Sequence, residues 1–213
     1  MEGAANLNGS RMIPRGARVG VFLGATFATA ALFRPEPGSS DGRSGFAGWG
    51  PGREGVSVVV PRDATAAERR AADTVRSTFV KASGLPARHF PVLLEGWLAP
   101  RWAVEIGMTR RGRAARPTGG RPPHDNAVAF AVDDGALVMA AERRETIEGA
   151  AGWFLEETLG ARWYVPGPLG EEVPSRREFS LPVGRREARP AFVHRDLGFD
   201  GTDGNREWYG RNR

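Results

Sequence analysis

Three acidic pairs are the side chains with most to offer a reaction: Asp133-Asp134, Glu156-Glu157 and Glu171-Glu172. Two carboxylates on opposite sides of a bond can divide proton donation and attack between them, the usual apparatus for hydrolysing a glycoside. Here each pair consists of sequence neighbours, which on a strand or helix point in different directions. A hairpin turn, a solvated helix face and a surface loop are the simpler expectations for the three. His89, His124 and His194 are far apart, two of them near proline, and lack the paired spacing of a metal site. Cysteine is absent, which removes disulfides, thiolate nucleophiles and Cys-based zinc sites. No Gly-x-Gly-x-x-Gly follows a strand. Neither a cofactor nor a metal is expected.

Arg110, Arg111, Arg113, Arg116 and Arg121 crowd a Gly/Pro-rich stretch over 109–125 that could grip phosphates or acidic glycans. A solvated loop is the simpler reading. The chain carries a net charge of +5 and a pI near 10.7, yet residues 56–183 hold 17 basic against 16 acidic side chains. The excess sits in the two ends, and Lys81 is the only lysine. Such an arginine bias reflects GC-rich coding more readily than a phosphate-binding surface, so nucleic acid is not expected as a partner. Trp163 and Tyr164 offer aromatic faces for stacking on a sugar, but alternation along a strand sends one of them into the core. Trp153 reads as a helix-face or interface residue.

The elements that must position these groups follow from periodicity. Arg11, Arg15 and Arg18 precede an uncharged, mostly apolar run over Val19–Phe33, with Ala28-Thr29-Ala30 as a small-x-small cleavage candidate. That run is about 15 residues, short of the roughly 20 that a spanning helix needs. Residues 1–33 therefore read as an export signal, with Met12 a possible start, and no stable membrane anchor is expected. Arg34 to Gly55 is Gly, Pro, Ser and Arg without periodicity, as in a disordered linker over 34–55. Val56–Val60 is a β-branched run closed by Pro61, a buried strand. Asp63 or Thr65 caps a helix whose Ala67, Ala71, Val75, Phe79 and Ala82 share one face, and Gly84 stops it. Trp102–Met108 is the next strand. Asn126–Val132 and Ala136–Ala141 are joined by Asp133-Asp134-Gly135, a hairpin signal, because the turn needs residues that tolerate positive φ. A second amphipathic helix over Ile147–Leu159 turns inward Ile147, Ala150, Ala151, Phe154 and Leu155. Gly160 ends it, and strands follow over 161–165 and 178–181. The order is β-α-β-β-β-α-β-β: an α/β (α+β) domain over 56–183, a mixed sheet with two amphipathic helices on one face.

The stretch Glu148–Pro174 (EGAAGWFLEETLGARWYVPGPLGEEVP) carries a resemblance. Phe154-Leu155-Glu156, Leu159-Gly160-Ala161-Arg162-Trp163, Pro166-Gly167 and Gly170-Glu171-Glu172-Val173-Pro174 resemble the N-terminal domain of bacterial α-glucuronidase-like proteins. These include glycoside hydrolase family 67 and a related bacterial family in which this module precedes a barrel. Ala64–Leu85 is similar to the first helix of that domain, and two-helix domains of the same kind precede the barrel in β-N-acetylhexosaminidases. Arg189–Arg195 resembles the entry to a first barrel strand, and Asn205–Arg213 a segment just after it. A (β/α)₈ barrel takes about 250 residues, so residues 184–213 read as the start of a truncated barrel.

The resemblance implies a non-catalytic accessory domain of a carbohydrate-active protein, inactive as this chain alone, and the export signal over 1–33 makes it secreted or periplasmic. Its partners would be the missing barrel and an oligo- or polysaccharide, because relatives hold their catalytic acids in the barrel. It also implies that Arg195 contacts sugar hydroxyls through its planar fork of donors, with an interdomain ion pair as the plain alternative. A free-standing saccharide- or partner-binding module is the runner-up, and a basic nucleic-acid binder the third reading.

Overall fold

The computed structural model describes residues 45–96, 100, 102–117 and 127–189. The strands are β1 (Phe46–Trp49), β2 (Ser57–Val60), β3 (Val92–Leu94), β4 (Ala103–Ile106), β5 (Val128–Asp133), β6 (Ala136–Ala141), β7 (Arg162–Trp163), β8 (Glu171–Glu172), β9 (Phe179–Leu181) and β10 (Gly184–Ala188). The helices are α1 (Ala66–Ser83), α2 (Arg110–Ala114) and α3 (Ile147–Leu159). Six strands form the main sheet in the order β10-β5-β6-β4-β2-β3. Strands β2, β3, β4 and β6 run parallel, and β5 is antiparallel to both β6 and β10. This is the mixed α/β sheet expected from the sequence.

Helix α1 forms where the pattern places it. Thr65 caps it and Glu68 reaches back to complete a capping box, while Gly84 ends it at φ 72°. Its stripe Ala67, Ala71, Val75, Phe79 and Ala82 is buried. Helix α3 ends at Gly160, φ 76°. The two helices pack side by side on one face of the sheet and run parallel, since each follows a parallel strand. Arg70 Nη2 meets Glu148 Oε1 at 2.6 Å near their amino ends. At their carboxyl ends the Arg176 amide donates to the Ala82 carbonyl at 2.7 Å.

Strand β6 shows why the sheet strands read as continuous apolar runs: both faces are covered. Leu137, Met139 and Ala141 join the helix-side core, while Ala136, Val138 and Ala140 pack with Ala115, just past α2, on the second face. The hairpin between β5 and β6 is as tight as Asp-Gly predicts: Asp133 pairs with Ala136, and Asp134 and Gly135 turn at φ 44° and 79°.

Several expectations are corrected. The linker expected over 34–55 includes a strand: β1 pairs with β9, burying Phe46 and Trp49. The Trp49 ring lies 5.2 Å from Phe79, 5.1 Å from Phe179 and 6.0 Å from Phe90, and its Nε1 donates to the Arg176 carbonyl at 3.0 Å. The nearby glycines permit close approach and do not mark a flexible linker. A Cβ on Gly45 would sit 2.5 Å from the Leu181 carbonyl oxygen, and one on Gly48 3.0 Å from the Phe179 ring.

The domain also continues past 183. Gly184–Ala188, expected to begin a barrel, is the edge strand β10, whose ladder uses backbone groups. Arg186 lies on the helix side against Trp153 and Glu157, while Arg185 and Glu187 are exposed and pair with each other. Strand β3 lies between α1 and β4, where no element was expected. The loop expected from 109 opens instead with the short helix α2, capped by Thr109. That helix lies on the face opposite α1 and α3. The expected strand over 161–165 shrinks to β7, which pairs with β8 as a separate small hairpin. The export segment 1–33 lies outside the described residues.

Candidate functional site

Open α/β sheets hold ligands in the crevice at the carboxyl ends of their strands, where neighbouring connections diverge. Here that point falls between β2 and β4: the chain leaves β2 toward β3 on one side, and β4 toward β6 on the other. The crevice is filled by the protein's own charges. Glu68 is fully buried. It accepts hydrogen bonds from the Thr65 amide at 2.8 Å, the Met108 amide at 2.9 Å and Arg144 Nη2 at 2.7 Å. Arg144 donates further to Asp63 Oδ2 and to the Asp63 carbonyl, both at 2.9 Å. Burial pushes the Glu68 carboxyl up, but the donors Arg144, Thr65 and Met108 outweigh it and hold the group below the usual carboxylate range. Gly107, at φ 80°, lets the strand end turn over this carboxylate; a Cβ there would lie 2.3 Å from Glu68 Oε1.

A carboxylate so held is a structural anion with no proton to give and no free face toward a substrate. The second buried acid, Glu105, is likewise matched by Arg111 Nη1 at 2.8 Å.

The three acidic pairs stay apart from this cluster. Asp133 ends β5 and Asp134 occupies the turn. Glu157 meets Arg186 at 3.2 Å, whereas Glu156 is half-buried, and desolvation raises its carboxyl, aided by the neighbouring Glu157 charge. Glu171 pairs with Lys81, and Glu172 accepts from the Tyr164 hydroxyl at 3.2 Å. His89 Nδ1 lies 2.7 Å from the Glu54 carbonyl oxygen, while His124 and His194 lie outside the described residues. Among the described residues no three ligating side chains gather as for a metal. Three of the four described arginines of the basic run also bind their own chain through their side chains: Arg111 to Glu105, Arg113 to the Met108 carbonyl and Arg116 to the Glu142 carbonyl.

The aromatic pair divides at the β7–β8 hairpin. Trp163 is only 4% exposed and belongs to the core, which removes it from any stacking role. Tyr164 is 64% exposed, flanked by exposed Val165 and Leu169. The turn that presents them is tightly made. Arg162 pairs with Glu172 and Trp163 with Glu171, and the Tyr164 amide donates to the Gly170 carbonyl at 2.8 Å. Gly167 turns at φ 92°, and a Cβ on Gly170 would fall 2.1 Å from the Val165 carbonyl oxygen. Arg162 folds back to cap α3, donating to the Ala161 and Glu156 carbonyls. The hydrogen bond to Glu172 raises the Tyr164 hydroxyl above its ordinary pKa. Trp153 packs 4.9 Å from Phe130, with Arg186 over its ring. Arg195 lies outside the described residues, and Tyr164 and Trp163 are divided between surface and core.

Sequence reasoning missed the Glu68–Arg144 clasp. The Thr65-x-x-Glu68 spacing carried the capping-box half of it. The arginine half stands 76 residues away, and no local signal marks it.

No family model matches the chain, and no curated protein does. Among solved structures it is similar to the Streptomyces plicatus N-acetyl-β-hexosaminidase in complex with Thio-NAglucal, at 14% identity and a TM-score of 0.44, covering 71% of this chain and 24% of that one. It is similar also to the β-N-acetylhexosaminidase from Streptomyces coelicolor, at 13% identity and a TM-score of 0.45, covering 76% of this chain and 26% of that one. The chain thus spans about a quarter of those enzymes, and a likeness of this degree carries no residue-level argument.

Proposed function

We propose that this chain is an exported, non-catalytic accessory domain of a glycoside-hydrolase-like protein, built to pack beside a catalytic barrel. One observation carries the reading most directly: the crevice where an α/β sheet would hold a ligand is occupied by Glu68 and Arg144, a saturated ion pair. The buried acids serve structure, and the described acidic pairs face different ways. The segment Glu148–Pro174, with its resemblance to α-glucuronidase N-terminal domains, supplies the carbohydrate connection. Topology supports the placement of a following domain. Strand β10 is antiparallel to β5 and therefore parallel to β6, so the chain leaves the sheet at its carboxyl edge.

The test is turnover. Purified chain, incubated with a panel of aryl β-N-acetylhexosaminides, glucuronides and xylosides, should release no aryl alcohol above buffer. Release that follows the protein through purification overturns the non-catalytic reading. Export is tested separately: protein recovered from the medium or periplasm should have lost the apolar run Val19–Ala30 while keeping Phe46. Retention of the whole N-terminus inside the cell would refute it.

The runner-up, a free-standing saccharide-binding module, is favoured by the exposed and hydrogen-bonded Tyr164.

A further inference from the structure

The β7–β8 hairpin sits at the amino ends of the parallel strands, since α1 and α3 run against those strands and end beside it; Lys81, near the end of α1, meets Glu171 there. The chain leaves β10 at the opposite edge of the sheet. The exposed side chains of the hairpin therefore lie at the pole away from that exit. Fully covering Tyr164, Val165 and Leu169 would remove on the order of 400 Å² from water, taking about 150–250 Å² for an aromatic side chain. A stable protein partner needs roughly 800 Å² from each side. An occupant the size of one or two sugar rings matches the patch better than a protein surface does.

We propose that the Tyr164 ring, with the Glu172 carboxylate at its edge, is a contact for one pyranose unit of a saccharide. The proposal deepens the carbohydrate-associated reading above and rests on it for the choice of ligand class. A pyranose presents a face of C–H bonds with partial positive charge, which suits the negative face of an aromatic ring. Its hydroxyls need acceptors in the plane of the ring edge. Tyr164 is held at both ends, by its amide to Gly170 and by its hydroxyl to Glu172, so little side-chain freedom remains to be lost on binding. A carboxylate has about four lone-pair positions, and Glu172 gives one to Tyr164, leaving others for sugar hydroxyls.

The charge selects among sugars. Glu172 is exposed beside the ring, and Arg162, its partner across the hairpin, spends its Nη1 on the Ala161 and Glu156 carbonyls, although its charge still reaches the Tyr164 hydroxyl. A uronate would meet like charge there, whereas a neutral or amino sugar would not. The contact therefore takes neutral or amino sugars in preference to uronic acids.

The full chain is titrated with cellohexaose, chitohexaose and hexagalacturonate, followed by amide chemical shifts. Saturable shifts at Tyr164 and Glu172 are expected with a neutral or amino-sugar probe, and weaker ones with the uronate. Tyr164→Ala should weaken binding about tenfold and Tyr164→Trp should keep it. Glu172→Gln should narrow the discrimination against hexagalacturonate. Leu94→Ala, an exposed apolar position on β3, should leave binding unchanged. The proposal is overturned by any of four results: no saturable shift with any probe, an equal response from Tyr164→Ala, preference for the uronate, or burial of the hairpin in self-association that Tyr164→Ala abolishes. Hydrolysis of a probe would overturn the non-catalytic reading while leaving the contact standing. Absent binding without hydrolysis would sink the contact alone.

Discussion

Replacing Glu68 with alanine should be among the most damaging single changes to this domain. The side chain is fully buried and accepts from the Thr65 amide, the Met108 amide and Arg144. Removing one member of a buried pair typically costs about 3–5 kcal/mol, and losing the reciprocal cap adds roughly 1 kcal/mol. Arg144 is 28% exposed at its side chain and keeps Asp63 as a partner, so it is not stranded, and the lower figure applies. A total near 4 kcal/mol lowers Tm by about 8–16 °C for a domain of this size. Thermal melts read by circular dichroism measure it.

The pH dependence supplies a second readout. The folded-state pKa of Glu68 is held below its unfolded value, so its ionised form contributes stability that is fully present above the unfolded pKa, about 4.3. That contribution is lost as pH falls through the lower, folded value. Glu68→Gln should lower Tm at pH 7 by less than Glu68→Ala, because the amide still reaches the Thr65 N–H, and its difference from wild type should shrink below pH 4. A double-mutant cycle with Arg144→Met should show coupling above 1 kcal/mol. Additive single effects, or a Glu68→Ala variant melting within 2 °C of wild type, would refute the reasoning.

Three other outcomes follow from the same geometry. Trp49→Ala should cost about 3–5 kcal/mol, measured by urea unfolding, because the indole packs against Phe79, Phe90 and Phe179; a change under 1 kcal/mol would mean that β1 is dispensable. Gly107→Ala should destabilise by at least 1–3 kcal/mol, since φ 80° is strained for alanine and the new methyl meets Glu68; Gly52→Ala, also at positive φ but in open space, should cost less. Glu156→Gln should raise Tm slightly at pH 7: burial raises the folded pKa, so ionisation costs stability above it, and the gain should fade as pH drops below the unfolded value of about 4.3, where the carboxyl becomes protonated in both states.

Local chemistry made much of the scaffold legible. Asp134-Gly135 specified a two-residue hairpin because few residues tolerate its dihedrals, and the apolar stripes of α1 and α3 specified which faces turn inward. Gly84 and Gly160 marked both helix ends for the same steric reason. Composition misled at both ends of the domain. Gly45 and Gly48 look like linker residues, yet they let β1 approach β9, and Gly184–Ala188 reads as the start of a barrel, yet it pairs as an edge strand that needs only backbone groups. Short elements such as β3, α2 and the β7–β8 hairpin span too few residues to show a period.

By itself, then, the order of residues determined the mixed α/β character, the two long helices with the glycines that end them, and the assignment of either Trp163 or Tyr164 to the core. It did so because those features depend on neighbours within a few positions. Only the tertiary structure decided that Trp163 is the buried one, that Phe46 and Trp49 complete the aromatic core, and that Arg144 closes on Glu68. The physical reason is the same in each case. A carboxylate can be buried only if a matching cation arrives, and an edge can be sealed only if a distant strand pairs with it. Those partners are chosen by how the sheet folds the chain back on itself, and no local pattern announces them.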